Sequence, residues 1–302
     1  FGAGPGGRAV MRARLARGRR VRVACRSGVS DAPAGVTSLS GDATDVAFTR
    51  EACAGATAVY NCLNAPYDKW PEMFPPLQAG VIEGAAAAGA KLIVMDNVYM
   101  YGPTGGRPLT EGLPFNATTR KGVARARMAE ALLRAHRDGK VRVSAGRASD
   151  FFGPGVLESS MGERVFPAAI AGKSVQMIGD PSLPHSYTYM DDIGRGLVTL
   201  GERDEALGRA WHLPTAPSVS GERFVAMIGE AAGTTPKVSR VPKILLRGLG
   251  LVNPMIREVA EMLYEFEEPF IVDDSAFRAA FGGEATPLAE SIPETVAWYR
   301  GR

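Results

Sequence analysis

The chain has 302 residues, a formal charge of +3, 45% hydrophobic residues and 22% charged residues, proportions of a globular protein long enough for one α/β domain and a second lobe. So small a net charge argues against nucleic acid or a membrane surface as the partner, no apolar run approaches bilayer-spanning length, and no signal peptide is visible. Cys25, Cys53 and Cys62 are odd in number and lack metal-ligand spacing, so they read as reduced residues of a cytoplasmic protein, with no metal site.

Gly2-Ala3-Gly4-Pro5-Gly6-Gly7 spells G-x-G-x-x-G and runs into a helix-like stretch over 8–18, followed by a strand-like Val21–Cys25. In that setting Gly2 makes a tight turn, Gly4 lets the backbone approach a pyrophosphate, and Gly7 allows close helix–strand packing. Pro5 opens a helix whose N–H groups face the phosphates. Because the chain starts at Phe1, directly at this fingerprint, the reading expects a natural product that is longer at its N-terminus and carries the first strand there. The arginines at 8, 12, 14, 17, 19, 20 and 22 form either a phosphate-friendly rim or a solvated helix face.

Val21–Cys25 exits into Arg26-Ser27. An acidic residue here would take the ribose hydroxyls of NAD, whereas Arg26 suits the 2′-phosphate of NADP, the preferred cofactor of this reading. Gly41-Asp42-Ala43 follows the next short apolar run; Asp42 is either an acceptor for the adenine amino group or the N-cap of a helix beginning near Val46. Thr57–Leu63 reads as the next strand. Its exit, Asn64-Ala65-Pro66-Tyr67-Asp68-Lys69-Trp70-Pro71, offers Tyr67 and Trp70 either to a small substrate or to packing between lobes. Helix patterns over Glu72–Gly89 and Arg120–Arg137 flank strands at Lys91–Asn97 and Val141–Arg147. This alternation predicts a doubly wound parallel α/β sheet of Rossmann type. Ala43, Leu63, Asn64 and Ala148 complete the expected cofactor contacts.

After Arg147 the rhythm breaks into Gly- and Pro-containing loops, helices at about Met190–Gly201 and Ser220–Gly233, and a mostly helical region from Pro242 to Arg302. The expected division is a cofactor domain of residues 1–150 plus about 188–213, and a smaller substrate lobe of 151–187 and 214–302. Asp150 and His185, the latter projecting from the lobe, are expected substrate contacts, with a structural histidine as the alternative at 185. His212 reads as structural.

Taken together, the glycine turn, Gly41-Asp42, Tyr99-Met100-Tyr101-Gly102-Pro103, Lys121, Arg147 through Phe152-Gly153-Pro154, Tyr189-Met190-Asp191-Asp192 and Trp211-His212-Leu213-Pro214 resemble the extended short-chain dehydrogenase/reductases. This is the NAD-dependent epimerase/dehydratase family, and the likeness is stronger to its atypical members. The resemblance covers essentially the whole chain. It implies a nicotinamide cofactor, NADP or NAD, a small-molecule substrate and a homodimer. It also implies a Ser or Thr at the strand exit followed by Tyr-x-x-x-Lys about a turn into the next helix. There the Lys holds the ribose and the Tyr exchanges a proton with substrate.

On this alignment the Ser position is Asn97, the Lys is Lys121, and the Tyr falls on Ala117, which carries no proton. The helix Asn of the family has no counterpart near Phe74-Pro75. Tyr99 is the substitute donor, Asn97 a group able to polarise a carbonyl, and Lys121 a positive field or proton source that also contacts the ribose. Asp96 and Asp150 are further candidate acids. The expected function is an NAD(P)-dependent oxidoreductase or isomerase acting on a small carbonyl or hydroxyl substrate with a non-standard proton donor. The alternative is a non-catalytic NADP-binding sensor or scaffold.

Overall fold

A computed structural model describes residues 1–242, 258 and 260–302. The elements run α1 (Pro5–Leu15), β1 (Val21–Cys25), β2 (Val36–Ser40), α2 (Val46–Cys53), β3 (Ala58–Asn61), α3 (Trp70–Ala87), β4 (Lys91–Asp96), α4 (Arg120–Arg137) and β5 (Arg142–Arg147). They continue with β6 (Asp150–Phe152), α5 (Phe166–Ile170), β7 (Val175–Met177), β8 (Pro184–His185), β9 (Tyr187–Tyr189), α6 (Met190–Glu202), β10 (Ala210–His212), β11 (Val219–Ser220), α7 (Gly221–Ala232), β12 (Val238–Arg240), α8 (Ser275–Phe281) and α9 (Leu288–Arg300).

The chain divides into two compact units. The first comprises Phe1–Met100, Lys121–Arg147 and Ile193–Leu213. Its strands β3, β4, β5 and β10 form a parallel sheet in the order β10-β5-β4-β3, and β1 pairs with β2, also in parallel. Residues 1 and 2 join the two pieces: the Gly2 N–H donates to the Ala24 carbonyl at 2.9 Å, and the Cys62 N–H donates to the Phe1 carbonyl at 2.9 Å. The strands are short apolar runs because helices cover both faces. Leu92, Ile93 and Val143 are fully buried, and Leu92 and Val143 pack among Val59, Val81 and Ala85.

Helix α3 carries the close packing of this unit. A Cβ on Gly80 would overlap the Ala43 carbonyl, and one on Gly84 would meet Thr49, so these glycines let α3 lie against α2 and the loop before it. The helix begins at Trp70, two residues ahead of the expected Glu72. Pro71 is tolerated there because the first-turn N–H groups have no partner inside the helix.

The second unit comprises Tyr101–Arg120, Ala148–Asp192 and Pro214–Arg302. Its core packs Phe152, Phe166, Tyr187, Phe224, Ile228 and Ile292. Its described strands are two or three residues long and pair in twos: β6 with β9, β7 with β12, and β8 with β11. Helix α7 is bounded as its sequence directs. The Ser220 hydroxyl accepts from the Arg223 N–H, and Gly233 ends the helix in the left-handed conformation at φ 70°. The expected helical region from Pro242 to Arg302 is described as α8 and α9; the part over 243–257 lies outside the described residues.

Candidate active site

The glycine turn sits where residues 1–2 leave the sheet. Gly2 has φ 93°, a left-handed conformation that favours glycine, and a Cβ on Gly7 would overlap the Gly2 carbonyl oxygen. Gly4 is different, since a Cβ there would have nothing within 4 Å. Gly4 is also the N-cap of α1, with no side-chain cap, Pro5 in the first turn and no acidic residue beside it. The first N–H groups of α1 therefore carry no side-chain cap at the positive end of a helix dipole. Ala3, Gly7, Arg8, Met11, Val23 and Val29 surround a shallow depression beside the turn. An uncapped eleven-residue helix behind a glycine cradle fits the pyrophosphate of a dinucleotide.

At the β1 exit the Arg26 side chain is exposed, while its carbonyl accepts from the Ser40 hydroxyl at 2.6 Å. Asp42 is exposed and accepts from the Thr44 N–H at 2.8 Å and the Thr44 hydroxyl at 2.9 Å, which hold its carboxyl below the usual range. Asp42 is not the cap of α2. Asp45 takes that position, accepting from the Ala47 N–H, because the cap must stand directly before Val46 to reach the second or third helical N–H. Ala43 is buried beneath Gly80. After β3, the Leu63 N–H is held by the Asn61 side chain at 3.2 Å, and Asn64 is exposed.

The chemistry-bearing side chains of the first unit lie at the end of β4, on α4 and in the loop after β3, on the side where open parallel sheets place ligands. The Asn97 N–H donates to Asp96 Oδ1 at 2.9 Å, and the Tyr99 N–H donates to Asn97 Oδ1 at 3.2 Å. Asp96 is buried between two guanidinium groups, with Arg125 Nη1 on one oxygen and Arg147 Nε on the other, each at 3.4 Å. Asp96 is therefore an anchor for β4, β5 and α4. The Tyr99 ring stacks on Trp70 at 5.7 Å and 26°.

Lys121 lies in the first turn of α4 and is fully buried, its Nζ 4.1 Å from the centre of the Tyr67 ring. One turn on, the Arg125 guanidinium rests 4.4 Å from the Trp70 ring and 4.2 Å from Phe74. Burial lowers the Arg125 pKa, and Asp96 opposes that shift. Tyr67 meets Trp70 edge-on at 5.1 Å, and the Trp70 indole N–H donates to the Ala65 carbonyl of its own loop. Trp70 is buried and held by neighbours on its faces and edge, whereas Tyr67 and Tyr99 are half-buried.

Ala117 precedes α4. It lies in a loop of the second unit, packed on Gly102, so the expected spacing of a Tyr position one helical turn before Lys121 is not realised on this helix. Residues four apart on the buried face of α4 are instead Lys121 and Arg125. Sequence reading passed over Arg125, although its spacing from Lys121 was a usable signal.

In the second unit Ala148 is buried, and Asp150 Oδ2 pairs with His185 Nε2 at 3.0 Å. The imidazole is stacked against Tyr187, Phe266 and Phe270 at 4.8–5.3 Å. Glu265, which sequence reading did not single out, is 1% exposed. Burial first, then the Asp150 charge, raises its pKa well above 4.5. Its Oε1 has no hydrogen-bond partner. A small cavity in this unit is lined by Glu265, His185, Tyr187 and Phe266. Among the described residues, no group of three or more His, Cys, Asp or Glu could hold a metal ion, and no helix is long and apolar enough to cross a membrane.

Comparison with known proteins bears on this arrangement. No curated protein matches the chain. Among solved structures, a dTDP-glucose 4,6-dehydratase from Streptomyces venezuelae with NAD bound superposes with a TM-score of 0.78 at 16% identity, covering 99% of this chain and 95% of that one. MoeE5 in complex with UDP-glucose and NAD gives 0.79 at 19% identity over 99% and 96%. A UDP-N-acetylglucosamine 4-epimerase from Bacillus cereus gives 0.77 at 12% identity over 99% and 94%. At these identities the likeness shows a shared fold. Residues 2–213 match the NAD dependent epimerase/dehydratase family, so with its glycine turn and parallel sheet the chain belongs to that family.

Proposed function

We propose that the first unit binds NADP in preference to NAD, and that the protein uses it as an oxidoreductase or isomerase on a carbonyl or hydroxyl group of a small molecule. The observation that carries the reading is the uncapped N-terminus of α1 behind Gly2, Gly4 and Gly7, followed by the exposed Arg26 at the β1 exit. The phosphates lie against the first turn of α1, Arg26 takes the 2′-phosphate, Asp42 and Ala43 lie along the adenine, and Leu63 and Asn64 follow the cofactor toward its ribose. Bound there, the nicotinamide supplies or accepts a hydride.

Asn97 polarises the substrate oxygen through its side-chain N–H, its Oδ1 being engaged by Tyr99. Tyr99 and Lys121 are the groups able to give or take the proton, and Lys121 also faces the ribose. Tyr67 contacts substrate, and Trp70 backs the wall that Tyr67 and Tyr99 form.

Calorimetric titration with NADP(H) and NAD(H) tests the cofactor. Arg26→Ala is expected to cost about tenfold or more in NADP affinity and to leave NAD affinity within about twofold, the size of one charge-assisted contact. Failure of either dinucleotide to bind would overturn the reading. NADP binding without turnover of any carbonyl probe would favour the sensor or scaffold, the reading that the lack of a tyrosine four residues before Lys121 supports.

A further inference from the structure

We propose that Arg125 is the positioning residue of this site, closing a ring of side chains that fixes Asn97 and Tyr99 together. The inference rests on the roles proposed above for those two residues. The ring can be followed from contact to contact. Arg125 Nη1 reaches Asp96 Oδ1 at 3.4 Å, and the same oxygen accepts the Asn97 N–H at 2.9 Å. Asn97 Oδ1 accepts the Tyr99 N–H at 3.2 Å. The Tyr99 ring stacks on Trp70, and the face of Trp70 meets the Arg125 guanidinium at 4.4 Å.

One cation thus holds both ends of the strand-exit turn, one through a carboxylate and the other through an indole. A guanidinium suits this position better than an ammonium, because it is planar and can donate in plane while its face lies on a ring. Among the described residues its buried Nε has no hydrogen-bond partner, so the side chain is held chiefly by its contacts with Trp70 and Phe74 and by the single carboxylate. Arg147 on the second oxygen of Asp96 fixes the carboxylate from β5. Asn97 and Tyr99 would otherwise sit on a short turn, free to move by the ångström that separates productive from idle geometry. Lys121, one turn earlier on the same helix face, meets Tyr67 in the same manner, so α4 sets cations against both aromatic side chains of the loop.

The test is turnover of NADPH with 9,10-phenanthrenequinone, a generic dicarbonyl hydride acceptor, together with the emission of Trp70 taken as the difference between the protein and its Trp70→Phe variant. Arg125→Met is expected to lower kcat on the order of 10²-fold while the NADPH dissociation constant stays within about threefold. Arg125→Lys, which keeps a cation between Asp96 and Trp70, is expected to recover about tenfold of that loss.

Because Arg125 acts through Tyr99, adding Arg125→Met to Tyr99→Phe should cost little beyond Tyr99→Phe alone. Trp70 emission should shift to the red as the ring opens. Where Tyr99→Phe itself costs turnover, additive losses would overturn the inference, as would a loss confined to KM or unshifted Trp70 emission in Arg125→Met. If Tyr99→Phe turns over normally while the emission shift and the Arg125→Lys recovery hold, the positioning role stands through Asn97, and the assignment of Tyr99 as donor falls. If the unaltered protein does not turn over the quinone, the emission shift in Arg125→Met and its reversal in Arg125→Lys decide between the ring and its absence.

Discussion

At the residue scale, the glycines of the turn separate folding from binding. A methyl group on Gly7 would occupy the place of the Gly2 carbonyl oxygen, so Gly7→Ala must push the chain off the sheet. It is expected to cost about 2 kcal/mol or more and to abolish NADP binding with it. Gly4 has open space where its Cβ would stand, and its φ of −71° and ψ of −175° suit any residue. Gly4→Ala is expected to leave stability within about 1 kcal/mol while lowering NADP affinity at least about tenfold, because the added methyl fills the approach to the helix N-terminus. Thermal melts read the first effect and calorimetry the second; equal effects of the two substitutions on melting would overturn the distinction. These glycines were legible in the sequence because their spacing alone encodes the turn. Arg125 was legible only through its spacing from Lys121 on the buried face of α4, since it meets Asp96 across 29 residues and Trp70 at the start of a different helix.

At the element scale, α3 and α4 show how far periodicity reaches. Arg120–Arg137 is helical over the expected span, as its apolar face repeats each turn from Ala124 to Leu132. The start of α3 was harder to place, because Pro71, Pro75 and Pro76 argue against a helix while its alanines argue for one. Packing decides the matter. Gly80 and Gly84 bring α3 so close to Ala43 and Thr49 that the helix is fixed by its neighbours and not by propensity. Gly80→Ala is therefore expected to destabilise the protein by about 1–3 kcal/mol despite the better helix propensity of alanine. A propensity-dominated helix would instead gain stability, so the sign of the change in melting temperature decides between the two. The same substitution presses on Ala43 and should weaken NADP binding through the Asp42–Ala43 loop.

For the whole molecule, the sheet of the first unit could be read from the alternation of strand and helix, since each strand is an apolar run bounded by loops. The small sheets of the second unit could not, because strands of two or three residues carry no period. Global stability also depends on Glu265, a group with no local motif to mark it. Glu265 is buried beside Asp150, and its pKa stands well above the ordinary 4.5. Below pH 4.5 the carboxyl is protonated in both the folded and the unfolded chain, and its full contribution to stability is present. As pH rises past that value the unfolded chain releases the proton while the folded chain retains it, so the unfolded state binds fewer protons and stability falls with rising pH. The loss continues until the folded carboxyl also ionises. Glu265→Gln keeps the shape and removes the titration. It is expected to flatten the slope of unfolding free energy against pH from about pH 4.5 upward, by at most one proton, and to raise stability at neutral pH. Urea unfolding across that range measures the slope. A variant whose slope matches the unaltered protein would show that Glu265 ionises in the fold as it does in the unfolded chain.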